Sequence, residues 1–182
     1  MTVERDDAWF DALYRRWHQP VLAYARRRVT EPDDLVAEVF TTAWRYRSRV
    51  PDPPLPWLLR TASNLSLHAA RGARRRNRLA ARVGSQRPGQ EVDPAEAVAD
   101  RAEASAIVLV ALNSLSPADR ELLRLIAWEQ LSIAETGYVL GCSEAAARVR
   151  LHRARGRLAR AVDRLEQSER PGIHRTAAEV TS

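Results

Sequence analysis

The chain contains no lysine: all 29 of its basic side chains are arginine, set against 23 acids for a formal net charge of +6. A GC-rich coding background also produces all-arginine usage, so the arrangement of these charges carries more information than their identity. The isoelectric point near 10.5 calls for an anionic partner. Cysteine is limited to Cys142, which excludes an intramolecular disulfide and a cysteine-based zinc site. The four histidines, His18, His68, His152 and His174, are scattered without metal-like or triad-like partner spacing. No catalytic residue, metal or cofactor is therefore expected, and a stand-alone enzyme is disfavoured. No apolar run approaches the roughly 20 residues needed to cross a bilayer. The acidic start MTVERDDAWFD lacks a signal-peptide core, so a cytoplasmic protein with no membrane partner is expected. Strand-like alternation and internal repeats are both missing, which leaves an all-α fold.

What is present concentrates in residues 111–158, ALNSLSPADRELLRLIAWEQLSIAETGYVLGCSEAAARVRLHRARGRL. Ser116 precedes Pro117, whose missing N–H suits a first helical position, and Asp119 completes a capping-box-like start. Ser132-Ile-Ala-Glu135 has the full capping-box form and opens a second helix running to about Leu140. Gly141-Cys142 makes a tight turn, and Ser143 is placed to cap a third helix from Glu144. Helix, glycine-bearing turn and basic helix is the layout of a helix-turn-helix. In the third helix Leu151, Ala154, Leu158, Ala161, Val162 and Leu165 share one stripe. Arg153, Arg157, Arg160 and Arg164 lie opposite, with Arg148 and Arg155 on a flank. Seven arginines between Arg148 and Arg164 face one acid, Asp163. A solvated helix face normally interleaves signs; unbalanced guanidinium suits phosphate contact and counterion release.

Composition divides the chain into an N-terminal helical domain, 1–82, a linker, 83–105, a C-terminal helix-turn-helix domain, 106–166, and a tail, 167–182. The linker has turn residues and no aromatic, then becomes acidic and passes into a helix from about Pro94 to Leu112. The N-terminal domain begins with apolar faces at Phe10, Leu13, Tyr14 and Trp17 and at Val21, Leu22, Tyr24, Ala25 and Val29. Pro20 between them predicts two helices. Leu35, Val36, Val39, Phe40, Ala43 and Trp44 then form a wide core-facing stripe. Asp34 and Glu38 fall on the other face, either as complements to the helix dipole or as a docking face for a basic partner. The proline-rich loop 48–54 leads into a helix starting near Pro56. Its buried stripe is Leu58, Ala62, Leu65 and Ala69, and a polar stripe carries Trp57, Arg60, Asn64, His68, Arg71 and Arg75. Six arginines fall between Arg71 and Arg82 with no acid among them. An aromatic beside a cationic track suits single-stranded nucleic acid, although Trp57 taken alone fits a core position better than a stacking platform.

These segments, in this order, resemble the extracytoplasmic-function sigma factors, the small two-domain branch of the bacterial sigma-70 family. FDALYRRWHQPVLAYARRRV, DDLVAEVFTTAWR and PWLLRTASNLSLHAARGARRR look like the family's core-binding and promoter-melting segments, and 112–158 looks like its helix-turn-helix. The resemblance implies a subunit that directs core RNA polymerase to specific promoters and helps open the DNA. It makes Asp34, Leu35 and Glu38 candidates for core-polymerase contact. It assigns Trp57, Asn64, Arg71, Arg74 and Arg75 to the −10 element and its opened strand, where flipping a base costs a few kcal/mol of unstacking. Ser143, Glu144, Ala145, Arg148 and His152 match the part of the recognition helix that reads the −35 element. Arg150, Arg153 and Arg155 fall to phosphate contact or helix packing. Core RNA polymerase and promoter DNA are the implied partners, and the linker permits clamping by an anti-sigma factor.

Several residues depart from the family pattern. Pro32 stands just before the docking helix, and Ala37 replaces a usual glutamine. Thr136-Gly137-Tyr138 replaces aliphatic and acidic residues, with Gly137 expected to cost about 1 kcal/mol relative to alanine. Ala145-Ala146-Ala147 lacks a hydroxyl that typically meets DNA, which shifts weight onto Arg148. The competing reading is a helix-turn-helix regulator that does not bind core polymerase and uses its N-terminal domain to dimerise or sense a ligand.

Overall fold

The computed structural model describes residues 5–81 and 102–169, with side chains described for 5–68 and 106–168. Seven α-helices account for it among the described residues: α1 (Asp7–Arg26), α2 (Pro32–Arg45), α3 (Leu55–Ala81), α4 (Ala102–Asn113), α5 (Pro117–Ala127), α6 (Ile133–Leu140) and α7 (Glu144–Glu169). The expected all-α fold is what forms.

Helix α1 is continuous through Pro20, where the sequence predicted a division. Proline removes the N–H that would bond the Arg16 carbonyl, at about 3 kcal/mol in a helix interior. Leu13 before it and Val21 and Leu22 after it are all buried in one core. At about 1.5–3 kcal/mol for each such side chain, keeping both halves on one axis outweighs the lost bond. Asp6 starts the helix by accepting from the Trp9 N–H at 3.0 Å.

Pro32 lies inside the first turn of α2. It opens that helix, since a first-turn N–H has no intrahelical partner to lose. Asp33 and Asp34 follow at the positive end of the dipole. Leu35, Val36, Val39, Phe40 and Ala43 are buried, as their spacing predicts. Val50 is also buried and anchors the loop into α3, whose Leu58, Leu59 and Ala62 complete the three-helix core.

In the C-terminal module α4, α5 and α6 all pack on α7. Leu112, Leu115, Leu122, Leu123, Leu151 and Ala154 form its core. Three further residues of this module, Leu125, Leu131 and Val139, are buried in the core built by the N-terminal helices, and α3 packs against α6. The two modules therefore share an apolar interface, which composition alone did not reveal. The expected start of α4 near Pro94 lies outside the described residues.

Candidate nucleic-acid interface

The helix-turn-helix is set by local hydrogen bonds that the sequence specifies. Ser132 Oγ accepts from the Glu135 N–H at 3.2 Å, while the Glu135 carboxylate accepts from the Ser132 N–H at 2.8 Å, completing the capping box of α6. At the other end Cys142 N–H bonds the Gly137 carbonyl at 2.9 Å and Gly141 N–H bonds that of Tyr138 at 3.2 Å, the Schellman pattern. Gly141 takes φ +68°, the left-handed conformation that favours glycine. Ser143 Oγ then accepts from the Ala146 N–H at 3.2 Å and starts α7. Gly137 is buried, and a Cβ there would lie 2.9 Å from the Cys142 carbonyl oxygen. Its helix-propensity cost is thus the condition for bringing the turn against α6, and with it the first turn of α7.

The apolar stripe of α7 is buried at Leu151, Ala154 and Ala161, and Ala147 is buried at its start. That orientation leaves Ser143, Glu144, Ala145, Arg148, His152, Arg153 and Arg155 exposed. Arg148 is held by Glu144 at 2.6 Å, with both side chains largely in water. Arg157 pairs with Asp119 of α5 at 2.9 Å. Two of the seven arginines are thus neutralised, each by an acid outside the 148–164 run. Arg150 is half-buried, with its Nη1 3.8 Å from the Cys142 sulfur. It braces the turn, unlike its exposed neighbours.

On α3, Trp57 is half-buried and packs against the N-terminal core, which favours the packing side of its two readings. Asn64 and His68 are exposed on the same helix. Arg71, Arg74 and Arg75 belong to α3, but their side chains lie outside the described residues. Arg60 is engaged: its Nη1 donates to the Tyr138 carbonyl at 3.0 Å, and its guanidinium carbon lies 4.8 Å from the Tyr138 ring centre.

On α2, Asp34 and Glu38 are exposed, whereas Leu35 is only 7% exposed and belongs to the core. Ala37, Phe40, Thr41 and Trp44, one helical step around from the two acids, line a groove of about 640 Å³ together with Phe10, Tyr14, Asp7 and Asp11 of α1. Phe10 meets Trp44 edge-on at 5.3 Å, and Tyr14 meets Phe40 at 4.8 Å. Helical spacing predicts buried faces for these aromatics. Tyr14, at 41% exposure, is the one that departs most from that expectation.

The contact between modules is mainly ionic around its apolar centre. Arg28, in the turn after α1, donates from Nε to both oxygens of Glu121 at 3.1 and 3.0 Å and from Nη1 to Glu129 at 3.1 Å. Arg27 Nη2 sits 2.8 Å from both oxygens of Glu129. The Tyr24 hydroxyl donates to Glu121 at 3.3 Å. Glu129 and Arg28 are only 6% and 9% exposed. Burial pulls the Arg28 guanidinium down, but Glu121 and the other neighbours more than offset this and leave it above its ordinary value. Burial, followed by the charge of Glu121, holds the Tyr24 hydroxyl well above the ordinary phenol range. No group of ligands suited to a metal ion occurs among the described residues.

Fold and surfaces together define a two-module helical protein with a helix-turn-helix whose recognition helix turns a cationic face outward. Comparison with known proteins narrows the class. The family model for Sigma-70 region 2 matches residues 13–76, and that for Sigma-70, region 4, matches residues 105–158. The RNA polymerase sigma factor CarQ of Myxococcus xanthus is 30% identical over 164 residues, covering 86% of this chain and 91% of that protein. The probable RNA polymerase sigma factor RfaY of Xanthomonas campestris pv. campestris is 29% identical over 156 residues. Here the match spans 81% of this chain but only 39% of that longer protein. Among solved structures, CnrH in complex with the cytosolic domain of CnrY superposes with a TM-score of 0.56 at 26% identity, over 87% of this chain and 90% of that one. The sigma factor RpoE of Bartonella quintana, solved with the anti-sigma factor NepR, shares the fold with a TM-score of 0.60 at 20% identity, over 84% of this chain and 98% of that one. The chain belongs to the sigma-70 family of RNA polymerase sigma factors, in its extracytoplasmic-function branch.

Proposed function

We propose that this chain docks on core RNA polymerase through α2, reads the −35 element with α7, and captures the −10 element along α3. The observation that carries the reading is the presence, in one chain and in family order, of an exposed acidic docking face and an exposed recognition-helix start. On α2, Asp34 and Glu38 supply charge, and the adjoining aromatic groove supplies apolar area for a partner side chain. Leu35 acts from beneath, holding the helix that presents them. On α7, Arg148 is the principal base reader, because Ala145 carries no hydrogen-bonding group. A bidentate arginine–guanine contact is worth about 1–3 kcal/mol of discrimination. Ser143, Glu144 and His152 flank it, Arg153 and Arg155 meet phosphates, and Arg150 holds the turn. On α3, Asn64 with Arg71, Arg74 and Arg75 follows the opened strand, and Trp57, packed on the N-terminal core, holds the head of the helix that presents them.

The protein is not an enzyme by itself; nucleotide addition belongs to the core it recruits, and its place of action is the cytoplasm. No helix among the described residues is long and apolar enough to cross a membrane. The Bartonella RpoE was solved with the anti-sigma factor NepR, and CnrH with the cytosolic domain of CnrY, which supports an anti-sigma factor as a third partner here. Run-off transcription with purified core and a library of promoter fragments tests the proposal. Initiation that depends on both chain and core is expected. Tight duplex binding by the chain alone, without affinity for core, would instead establish a conventional helix-turn-helix regulator.

A further inference from the structure

The buried stripe of α7 fixes which line of that helix lies farthest from the protein. Ala147, Leu151, Ala154 and Ala161 are turned to the core. At about 3.6 residues per turn, Ala145, Val149, His152 and Gly156 then fall on the opposite line, and all four are exposed. Arg148 and Arg155 run along one side of this line, and Arg153, Arg157 and Arg160 along the other; all five are exposed as well. Between two rows of guanidinium groups there is thus a ridge on which only His152 carries a side chain able to hydrogen-bond.

Val149 stands in the middle of that ridge. It is 50% exposed, the one large hydrophobic side chain so open on α7 among the described residues. A lone exposed valine is ordinary on a protein surface, but this one lies on the line that a recognition helix turns into the major groove. Arginines on both sides suit the phosphates of the two groove walls, which leaves the valine facing base edges. It has nothing to donate or accept. Its β-branching fixes χ1 within a helix, so its two methyls are held in one direction before any DNA arrives. Base edges in the major groove offer one apolar group among their donors and acceptors, the C5-methyl of thymine.

We propose that Val149 is a specificity-determining residue that packs its methyl groups on the C5-methyl of a thymine in the −35 element, with the small side chain of Ala145, one turn earlier on the ridge, leaving the base edge room to approach. Arg148 is drawn back onto Glu144 at 2.6 Å and reads a neighbouring base pair by hydrogen bonds. The two contacts are complementary: one recognises a donor–acceptor pattern, the other an apolar surface. The inference deepens the sigma-factor reading and rests on it for the identity of the duplex.

The test uses the full chain with core polymerase and a promoter fragment selected by run-off transcription. Each thymine of its −35 element is replaced in turn by deoxyuridine, which deletes the methyl group and keeps every hydrogen-bonding group. Competition binding should show one position at which the replacement lowers affinity about threefold to fivefold, the worth of one buried methyl group. Val149→Ala should bind the unaltered fragment more weakly by a similar factor and become indifferent to the methyl at that position alone. Alanine is the better helix former, so weaker binding by this variant does not come from a weakened α7. A −35 element in which no thymine methyl matters, or a methyl effect that survives unchanged in Val149→Ala, overturns the proposal; normal initiation alongside either result leaves the sigma reading standing. If the chain instead binds duplex without any need for core, the same scan on a fragment selected by the chain alone tests the valine contact separately from the failed reading.

Discussion

Substituting alanine at Gly137 and at Gly156 should have opposite effects, although both residues lie inside helices. Helix propensity favours alanine over glycine by about 1 kcal/mol at either place. At Gly156 of α7 a new Cβ meets nothing within 4 Å, so the full propensity gain is expected. At Gly137 the new Cβ would lie 2.9 Å from the Cys142 carbonyl oxygen and 3.4 Å from the carbonyl carbon and oxygen of Ser143. All three are backbone atoms of the turn, so no side chain can swing away. Overpacking of this kind costs about 1–3 kcal/mol. Set against the propensity gain, Gly137→Ala should come out near neutral to about 2 kcal/mol destabilising, and Gly156→Ala about 1 kcal/mol stabilising. Thermal unfolding followed by circular dichroism measures both, and each kcal/mol corresponds to a midpoint shift of about 2–4 °C for a chain of this size. The turn carries Ser143, so Gly137→Ala should also weaken −35 duplex binding, while Gly156→Ala leaves the start of α7 in place. Equal stabilisation by the two substitutions would refute the close-approach argument and return Gly137 to the status of a weak helix residue.

Leu35→Ala should cost about 2–5 kcal/mol of stability through the cavity it leaves, whereas Glu38→Arg should leave the unfolding midpoint nearly unchanged and weaken core binding; a pull-down on core polymerase beside a melting curve separates the two. Arg148→Ala should reduce discrimination at the −35 element by about 1–3 kcal/mol with core binding intact, and loss of core binding instead would show that the module assignment is wrong. Tyr24 has its folded-state pKa raised by burial and by Glu121. Its contribution to stability is therefore complete below the ordinary phenol value near 10 and is lost as pH rises above it. Alkaline unfolding should be less steep in Tyr24→Phe, and identical alkaline profiles would contradict that linkage.

Much of the architecture was legible because it is local. Ser116 and Ser132 cap the helices that their spacing with Asp119 and Glu135 announced, and Ser143 caps α7 where the Gly141-Cys142 turn placed it. The stripes of α2 and α7 bury as their periodicity requires. What escaped is what depends on distant parts of the chain. Pro20 signals a break, and only the joint burial of Leu13 with Val21 and Leu22 overrides it. Leu125, Leu131 and Val139 have the spacing of ordinary helix-turn-helix core, and nothing local marks them as partners of another module. Glu121 and Glu129 look like solvated acids until Arg28, about 90 and 100 residues earlier, is found between them. Gly137 looks costly because propensity scales contain no neighbour at 2.9 Å. Leu35 marks the opposite limit: the family resemblance named it as a contact, and its periodicity correctly placed it in the core.

The central claim, that this chain opens promoters as a polymerase subunit, is tested most directly by 2-aminopurine placed in the −10 element of a promoter selected by run-off transcription. Unstacking of that base should raise its fluorescence when chain and core are added together, and neither alone should do so. Asp34→Arg with Glu38→Arg should abolish the signal while leaving −35 duplex binding intact. A fluorescence rise with the chain alone, or none with chain and core together, would contradict the account.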